Sequence, residues 1–255
     1  MASHEPPARP NPWWRDLWQK NFLGLIPHTF VSPRGYKIAC RRRYEIRMCE
    51  KIFGCQQYPL DRLPRPVRTV LDVGANIGVF SFYCADTFAE TIQGIYPVEP
   101  FAKNFRRIQE TARRNGIDKI IHPLNCAVSD KPGQAELLLA DSHYSHSLNT
   151  AKVKDPNAAQ PVEVTTLDEI MRRHNLQAID LLKLDVEGSE LQAIAGGRET
   201  LTATRAVVIE VHKGFCSFGD AKRALAEFGL QPLAGTQAAD GDFGDYCFCR
   251  EARVA

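Results

Sequence analysis

The sequence has no long apolar run, no export signal and little net charge. None of its 255 residues lies in an apolar stretch that approaches the roughly 18 residues of a membrane span. Residues 1–7 have neither the basic start nor the apolar centre of a signal peptide. A formal net charge of +2 argues neither for nor against nucleic acid, so local charge matters more. We therefore expect a cytoplasmic protein.

The sequence also lacks a paired-cysteine framework. Its eight cysteines are scattered, and several lie within apolar runs. Without an export signal, reduced thiols are expected. Cys247 and Cys249 have the spacing of half a metal site, but no second half lies nearby. We predict that these two thiols are buried core residues.

The strongest local pattern is a strand-to-helix turn that lacks the glycines of a nicotinamide site. An apolar run ends at Asp72, and G-A-N-I-G follows over residues 74–78. A nicotinamide-binding turn would read G-x-G-x-x-G. The Asp72 carboxylate would repel a pyrophosphate, whereas it suits a sulfonium cofactor with hydroxyls and an amino-acid tail. The predicted cofactor contacts here are Asp72, Gly74, Ala75, Asn76 and Gly78.

Polar residues follow the next two predicted strands, at the strand ends where parallel α/β sheets bind ligands. Glu99, followed by Pro100, is placed to accept hydrogen bonds from both ribose hydroxyls. The alternative is a carboxylate that favours the dipole of the next helix. Residues 125–129 are predicted to border the cofactor base, or to form an ordinary turn. The candidate contacts from these strands are Glu99, Pro100, Asn125 and Ala127.

Ionisable residues end the fourth and fifth predicted strands. Alternation places Lys183 and Asp185 on one side of their strand, where Lys183 either lowers the pKa of Asp185 or is its structural partner. The next strand adds Glu210 and His212, whose imidazole suits proton removal from an alcohol. We predict Asp185 or His212 as the base, with Glu210 in support. A divalent metal held by Asp185 and a neighbouring carboxylate is the alternative.

An N-terminal extension over residues 1–58 is predicted to precede a main domain over residues 59–255. Trp14, Trp18 and Phe22 have helical spacing, which predicts a helix that docks on the core or a second subunit, or that touches a membrane. A hairpin over residues 29–44 and a short helix over 45–54 follow. A basic cluster there is either a solvated face or a grip on an anionic substrate group. Its members are Arg41, Arg42, Arg43 and Arg47.

Strand patterns alternate with helix patterns in the main domain. This alternation implies a mainly parallel sheet with helices on both faces. Two short strands, over residues 134–140 and 161–166, flank a polar loop at 141–149 that is a candidate substrate loop. The predicted main strands cover residues 68–73, 92–98, 120–127, 179–184 and 205–211.

Five motifs, in this order, resemble the FkbM-type methyltransferases. They are V-L-D-V-G-A-N-I-G at 70–78, V-E-P at 98–100, A-V-S-D at 127–130, T-L-D at 166–168 and K-L-D-V-E-G-S-E at 183–190. The resemblance implies a Rossmann-like class I α/β sheet of seven strands with only the last antiparallel. It also implies S-adenosylmethionine-dependent O-methylation of a small metabolite, polyketide or sugar. By this resemblance Gly74, Asn76 and Glu99 contact the cofactor, Asp185 lies near the reaction centre, and Ser147 belongs to the substrate loop.

The predicted function is therefore S-adenosylmethionine-dependent O-methylation of a small-molecule hydroxyl. One alternative is an RNA ribose methyltransferase that uses the arginine cluster, although the near-neutral total charge counts against it. Another is a non-catalytic partner-binding protein with the same fold. The sequence leaves open the acceptor, metal use, a homodimer and membrane contact by the tryptophan-rich segment.

Overall fold

The computed structural model describes residues 28–54, 58–139, 159–233 and 244–250. The predicted tryptophan-rich helix and the polar loop with Ser147 lie outside the described residues. In these ranges, no helix combines the length and the apolarity that crossing a bilayer requires.

The described chain alternates strands and helices as predicted. In chain order the elements are β1 (His28–Val31), β2 (Lys37–Cys40), α1 (Arg43–Cys49), β3 (Thr69–Val73), α2 (Val79–Thr87), β4 (Gly94–Val98), α3 (Ala102–Arg114), β5 (Ala127–Val128), β6 (Gly133–Leu138), β7 (Ala159–Thr165), α4 (Leu167–Arg173), β8 (Ile179–Leu184), α5 (Glu190–Ala195), α6 (Arg198–Thr202), β9 (Thr204–Val211), α7 (Phe218–Ala226), β10 (Leu230–Pro232) and β11 (Gly244–Arg250). A π-helical turn, Glu50–Gly54, continues α1.

A six-stranded sheet in the order β10-β11-β9-β8-β3-β4 forms the centre of the molecule. The pairs among β9, β8, β3 and β4 are parallel, and β11 runs antiparallel to both of its neighbours. The predicted mainly parallel sheet with an antiparallel last strand is thus confirmed. All strands of one direction place their carboxyl ends at one edge, where the candidate site residues lie.

The predicted strand over residues 120–127 is reduced to two parallel bridges beside β4, at Ile121 and Leu124. Proline explains part of the difference. Ile95 and Glu99 each donate a backbone hydrogen bond to the facing segment, but Pro97 between them has no N–H and cannot donate one. The seventh strand of the predicted sheet is therefore only rudimentary.

Two smaller sheets flank the centre. β1 and β2 pair antiparallel, as the predicted hairpin requires. β6 and β7, the two predicted short strands, also pair antiparallel, and β5 joins β7 in parallel. β5 follows the segment that is bridged to β4 at Leu124. The three-stranded sheet of β5, β7 and β6 therefore begins beside the carboxyl end of β4.

The central strands are buried on both faces, because consecutive apolar side chains point to opposite sides of the sheet. Val70 and Leu181 face a core layer that also contains buried residues of β2 and α1, whereas Leu71 and Leu182 face a second layer. The hairpin and α1 therefore share a core with the sheet. Cys247 is buried in the first layer, as predicted, whereas Cys249 is only partly buried against this layer.

Candidate active site

Charged residues from neighbouring strands lie on one face of the sheet near its carboxyl edge. Asp72 of β3 and Lys183 of β8 are register partners. The Lys183 Nζ lies 2.8 Å from a carboxylate oxygen of Asp185 and 3.9 Å from one of Asp72. Burial would lower the pKa of Lys183, but the charges of Asp185 and Asp72 outweigh burial and raise it. Lys183 is therefore a permanent cation between two carboxylates, and the predicted shared side of Lys183 and Asp185 is confirmed.

Asp72 lies beneath the turn and not on a pocket surface. Its side chain is fully buried, and Ser81 Oγ donates a 2.6 Å hydrogen bond to it. Burial raises the pKa of Asp72 by more than Lys183 and Ser81 lower it. The Asp72 carboxylate is enclosed beside Ser81 and Lys183, so its direct contact with a cofactor stays a prediction.

The N–H groups of the glycine turn are bonded to the end of β4. Gly74 and Ala75 both donate 3.0 Å hydrogen bonds to the Val98 carbonyl oxygen. Asn76, in the left-handed region at φ 53°, donates a 2.8 Å hydrogen bond to Glu99 Oε2. A bound pyrophosphate is usually held by unbonded N–H groups of such a turn. The N–H groups of Gly74, Ala75 and Asn76 are therefore already occupied and do not face a pyrophosphate as free donors.

The position of Glu99 is compatible with both predicted roles, the ribose contact and the carboxylate at the start of the next helix. Its carboxylate accepts hydrogen bonds from the N–H groups of Asn76 and Phe101, the latter at the start of α3. Burial raises the pKa of Glu99 to about 8, although both N–H groups lower it. The same side chain lines a pocket, so the ribose-binding role stays a prediction.

That pocket, called the turn pocket below, has about 690 Å³ of space including the solvent at its mouth. Five predicted cofactor contacts line it: Gly74, Asn76, Glu99, Pro100 and Ala127. Asp185, a predicted catalytic residue, also lines this pocket, as do Cys126 and Val128 of the segment 125–129 that was predicted to border the cofactor base. The remaining lining residues were not predicted as site residues: Val73, Val98, Asn104, Leu137, Val186, Glu187 and Ser189.

Three further predicted contacts lie outside this lining, each for a physical reason. Ala75 faces a neighbouring pocket. Gly78 starts α2 at φ 83°, where an added methyl would lie 3.1 Å from Ile108, so it is a packing position. Asn125 donates hydrogen bonds of 2.8 and 3.0 Å to the carbonyl oxygens of Glu99 and Pro100, so it positions the lining without forming it.

The neighbouring pocket, called the α1 pocket, is larger, with about 1360 Å³ of space. The three predicted catalytic residues, Asp185, Glu210 and His212, line it together with Lys183 and Glu187. Its other walls come from α1, the π-helical turn, Tyr58 and the start of α2. Four residues line both pockets: Gly74, Asn76, Asp185 and Glu187.

His212 is held between two carboxylates. Its Nδ1 lies 2.9 Å from Glu190 Oε1 and its Nε2 lies 3.2 Å from Glu187 Oε2. Burial would lower the pKa of His212, but hydrogen bonds to Glu187 and Glu190 raise it to about 10. The imidazole therefore carries both protons at neutral pH.

Asp185 and Glu210 are adjacent carboxyl groups of different acidity. Burial would raise the pKa of Asp185, but the charge and hydrogen bond of Lys183 outweigh burial and lower it. Burial and the charge of Asp185 raise the pKa of Glu210 to about 8. At neutral pH the pair thus contains one carboxylate, Asp185, and one carboxyl that mostly keeps its proton.

Three residues of the α1 pocket are also placed where they could bind a metal ion. Ligand atoms of Asp185, Glu187 and His212 lie within 4.8 Å of one another. Both carboxylates of this arrangement already have a cationic partner: Lys183 contacts Asp185, and protonated His212 contacts Glu187. A divalent metal would have to displace the His212 proton, so metal binding stays the alternative that the sequence suggested.

Comparison with known proteins identifies the relatives of this chain. A family model described as the methyltransferase FkbM domain matches residues 72–232, more than half of the chain. The hexuronic acid methyltransferase AglP of Haloferax volcanii is 24% identical over 145 residues, covering 56% of this chain and 55% of that enzyme. The 31-O-demethyl-FK506 methyltransferase FkbM of Streptomyces tacrolimicus is 26% identical over 199 residues, covering 67% of this chain and 75% of that enzyme.

A solved structure agrees with these sequence relatives. The crystal structure of methyltransferase FkbM from Methylobacillus flagellatus KT superposes with a TM-score of 0.55 at 16% identity. The match covers 76% of this chain and 47% of that chain, so this protein spans about half the length of two of its relatives. The fold is the Rossmann-like class I methyltransferase fold, and the chain belongs to the FkbM methyltransferase family.

Proposed function

We propose that this protein transfers a methyl group from S-adenosylmethionine to a hydroxyl of a small molecule. The turn pocket holds the donor and the α1 pocket holds the acceptor. The observation that carries this proposal is that the two pockets meet at Gly74, Asn76, Asp185 and Glu187. A methyl group passed in line between a donor and an acceptor needs two sites that join at one point.

The lining of the turn pocket fits the donor. Glu99 offers its carboxyl oxygens to ribose hydroxyls, and Val128 and Leu137 offer apolar surface to a base. Asp185 and Glu187 stand where the pockets join, so their negative charge favours a sulfonium there. When bound, S-adenosylmethionine supplies a methyl group that is already activated for transfer.

The residues of the α1 pocket position the acceptor and take its proton. The Asp185 carboxylate, ionised at neutral pH, accepts the hydrogen bond of the acceptor hydroxyl and receives its proton during transfer. Glu210 shares the proton with Asp185, because the two carboxyl groups are hydrogen-bonded to each other. His212 is already protonated, so in this proposal it positions Glu187 and does not act as the base.

The names of the relatives support a small acceptor. AglP is named for methylation of a hexuronic acid, and the Streptomyces enzyme for a demethyl-FK506 compound. The α1 pocket is open to solvent, and its volume of about 1360 Å³, which includes that solvent, leaves room for such a molecule.

The proposal is tested with S-adenosylmethionine labelled in its methyl group and an extract of small metabolites. We expect a labelled product from the wild-type protein, and calorimetry should show binding of S-adenosylmethionine but not of NAD. Asp185→Asn should lose turnover by about a hundredfold or more even at a donor concentration that saturates the variant. Asp130→Asn, an exposed carboxylate outside both pockets, is the matched control. Full turnover of both Asp185→Asn and Glu210→Gln, with the donor still bound, would contradict the assigned roles.

A further inference from the structure

We propose that the acceptor carries an anionic group, and that Arg47 and Lys51 bind it in the α1 pocket. This inference rests on the proposed function, since it names the class of molecule that receives the methyl group. The carboxylates of the strand ends hold the hydroxyl, and the two cations hold the negative group of the same molecule.

One stripe of α1 and the π-helical turn faces the pocket. The lining residues of this segment are Tyr44, Arg47, Met48, Lys51 and Ile52. The first four follow the i, i+3, i+4, i+7 spacing of one helix face. The neighbouring face carries Glu45, Ile46 and Cys49 into the core. The cations therefore face the pocket because the apolar pattern of the segment fixes its rotation.

Arg47 and Lys51 differ from the other cations of this pocket. Lys183 is bonded to Asp185, and His212 is bonded to Glu187 and Glu190. Arg47 and Lys51 are both exposed, and no described residue lies within ion-pair distance of either. Two cations that no described residue neutralises, at a pocket whose other wall is acidic, favour a ligand with negative charge at one end and a hydroxyl at the other.

The stripe is held in place by a buried ion pair. Arg107 of α3 donates to both carboxylate oxygens of Glu45, at 2.7 and 2.8 Å, and also to the Ala39 carbonyl oxygen at 3.0 Å. The Glu45 side chain is only 1% exposed. This two-pronged contact fixes α1 against α3, so the cations sit on a rigid wall and not on a free tail.

The positions of the other arginines favour a small anion over a nucleic acid as the ligand. Arg41, Arg42 and Arg43 do not line the α1 pocket. A nucleic acid would use exposed arginines wherever they lie on the surface. A small carboxylate, phosphate or sulfate inside the pocket would reach Arg47 and Lys51 but none of these three arginines.

The first experiment determines the charge of the product. A small-metabolite extract is separated on an anion exchanger at neutral pH into retained and unretained fractions, and each is incubated with labelled S-adenosylmethionine. We expect the labelled product to form from the retained fraction and to be retained itself. A labelled product from the unretained fraction alone would overturn this inference and leave the proposed function standing. No labelled product from either fraction would contradict the proposed function itself.

The second experiment uses variants with the retained fraction as the acceptor. Arg47→Ala/Lys51→Ala should raise the half-saturating amount of this fraction at least about tenfold, with kcat and donor affinity nearly unchanged. Arg42→Ala/Arg43→Ala removes the same charge outside the pocket and should change neither value. The charge-conserving Arg47→Lys/Lys51→Arg should restore most of the affinity. Equal losses in both alanine pairs would instead indicate a general basic surface and overturn the inference.

Discussion

A methyl group on Gly74 would lie 1.7 Å from the backbone carbonyl oxygen of Asp185. Gly74 also adopts φ 82°, which residues with a side chain rarely adopt. The Asp185 N–H donates a 3.0 Å hydrogen bond to the Val73 carbonyl oxygen. The turn of the proposed donor site is therefore in direct backbone contact with the strand end of the proposed acceptor site.

Gly74→Ala should separate these two backbones and abolish donor binding. The clash and the positive φ together should lower the free energy of unfolding by about 3 kcal/mol or more. Urea unfolding and calorimetry with S-adenosylmethionine measure the two effects. Gly133→Ala is the control, since an added methyl there meets nothing within 4 Å. Unchanged donor affinity in Gly74→Ala would show that the close approach is not needed.

Replacing Lys183 by methionine should destabilise the protein by about 3–5 kcal/mol, because it leaves buried carboxylates without their cation. Asp72 is fully buried and Asp185 accepts a 2.8 Å hydrogen bond from Lys183. Adding Asp72→Asn should recover part of this loss, since it removes one uncompensated charge. Urea unfolding of the single and double variants gives the coupling energy. Strictly additive losses would mean that Lys183 and Asp72 do not interact.

Local patterns in the sequence predicted much of the fold and the polar part of the site. The strand predicted over residues 179–184 has the same bounds as β8, and alternation correctly put Lys183 and Asp185 on one side. Five of the nine predicted cofactor contacts line the turn pocket. Their residue types and their places at strand ends carried enough information because parallel strands end at a common edge.

Other features depend on contacts between distant segments. Asp72 is fully buried, and the cation beside it, Lys183, lies 111 positions later on the neighbouring strand. The arginine cluster looked uniform in sequence, yet only Arg47 of its four members lines the α1 pocket. Apolar lining residues such as Leu137 have no chemical signal, because any buried position selects for the same side chains.

The ion pairs of His212 should make stability depend on pH. The folded-state pKa of His212 is raised from 6.5 to about 10, so its contribution is fully present below pH 6.5 and is lost as pH rises through about 10. We expect this loss to be roughly 2 kcal/mol in the wild-type protein. Glu99 and Glu210 also have raised folded-state pKa values, of about 8. Their contributions to stability are likewise lost as pH rises, but at lower pH than that of His212.

Urea unfolding across this pH range measures the effect. His212→Gln should reduce the decline in stability between pH 8 and about 10. His28→Gln, on exposed β1, removes a histidine far from these carboxylates in the chain and should leave the decline unchanged. Identical pH profiles for the wild-type and His212→Gln proteins would contradict the two ion pairs.

Removal of metal ions should leave methyl transfer unchanged. Asp185, Glu187 and His212 form the metal-ligand arrangement among the described residues, but Lys183 and the His212 proton already supply positive charge to its carboxylates. A divalent ion would compete with both, and with the sulfonium of the proposed donor. Turnover is measured after dialysis against EDTA, and then with added Mg²⁺ or Mn²⁺. Loss of turnover on dialysis and recovery on addition would establish the metal alternative, and His212→Gln should then weaken Mn²⁺ binding measured by electron paramagnetic resonance.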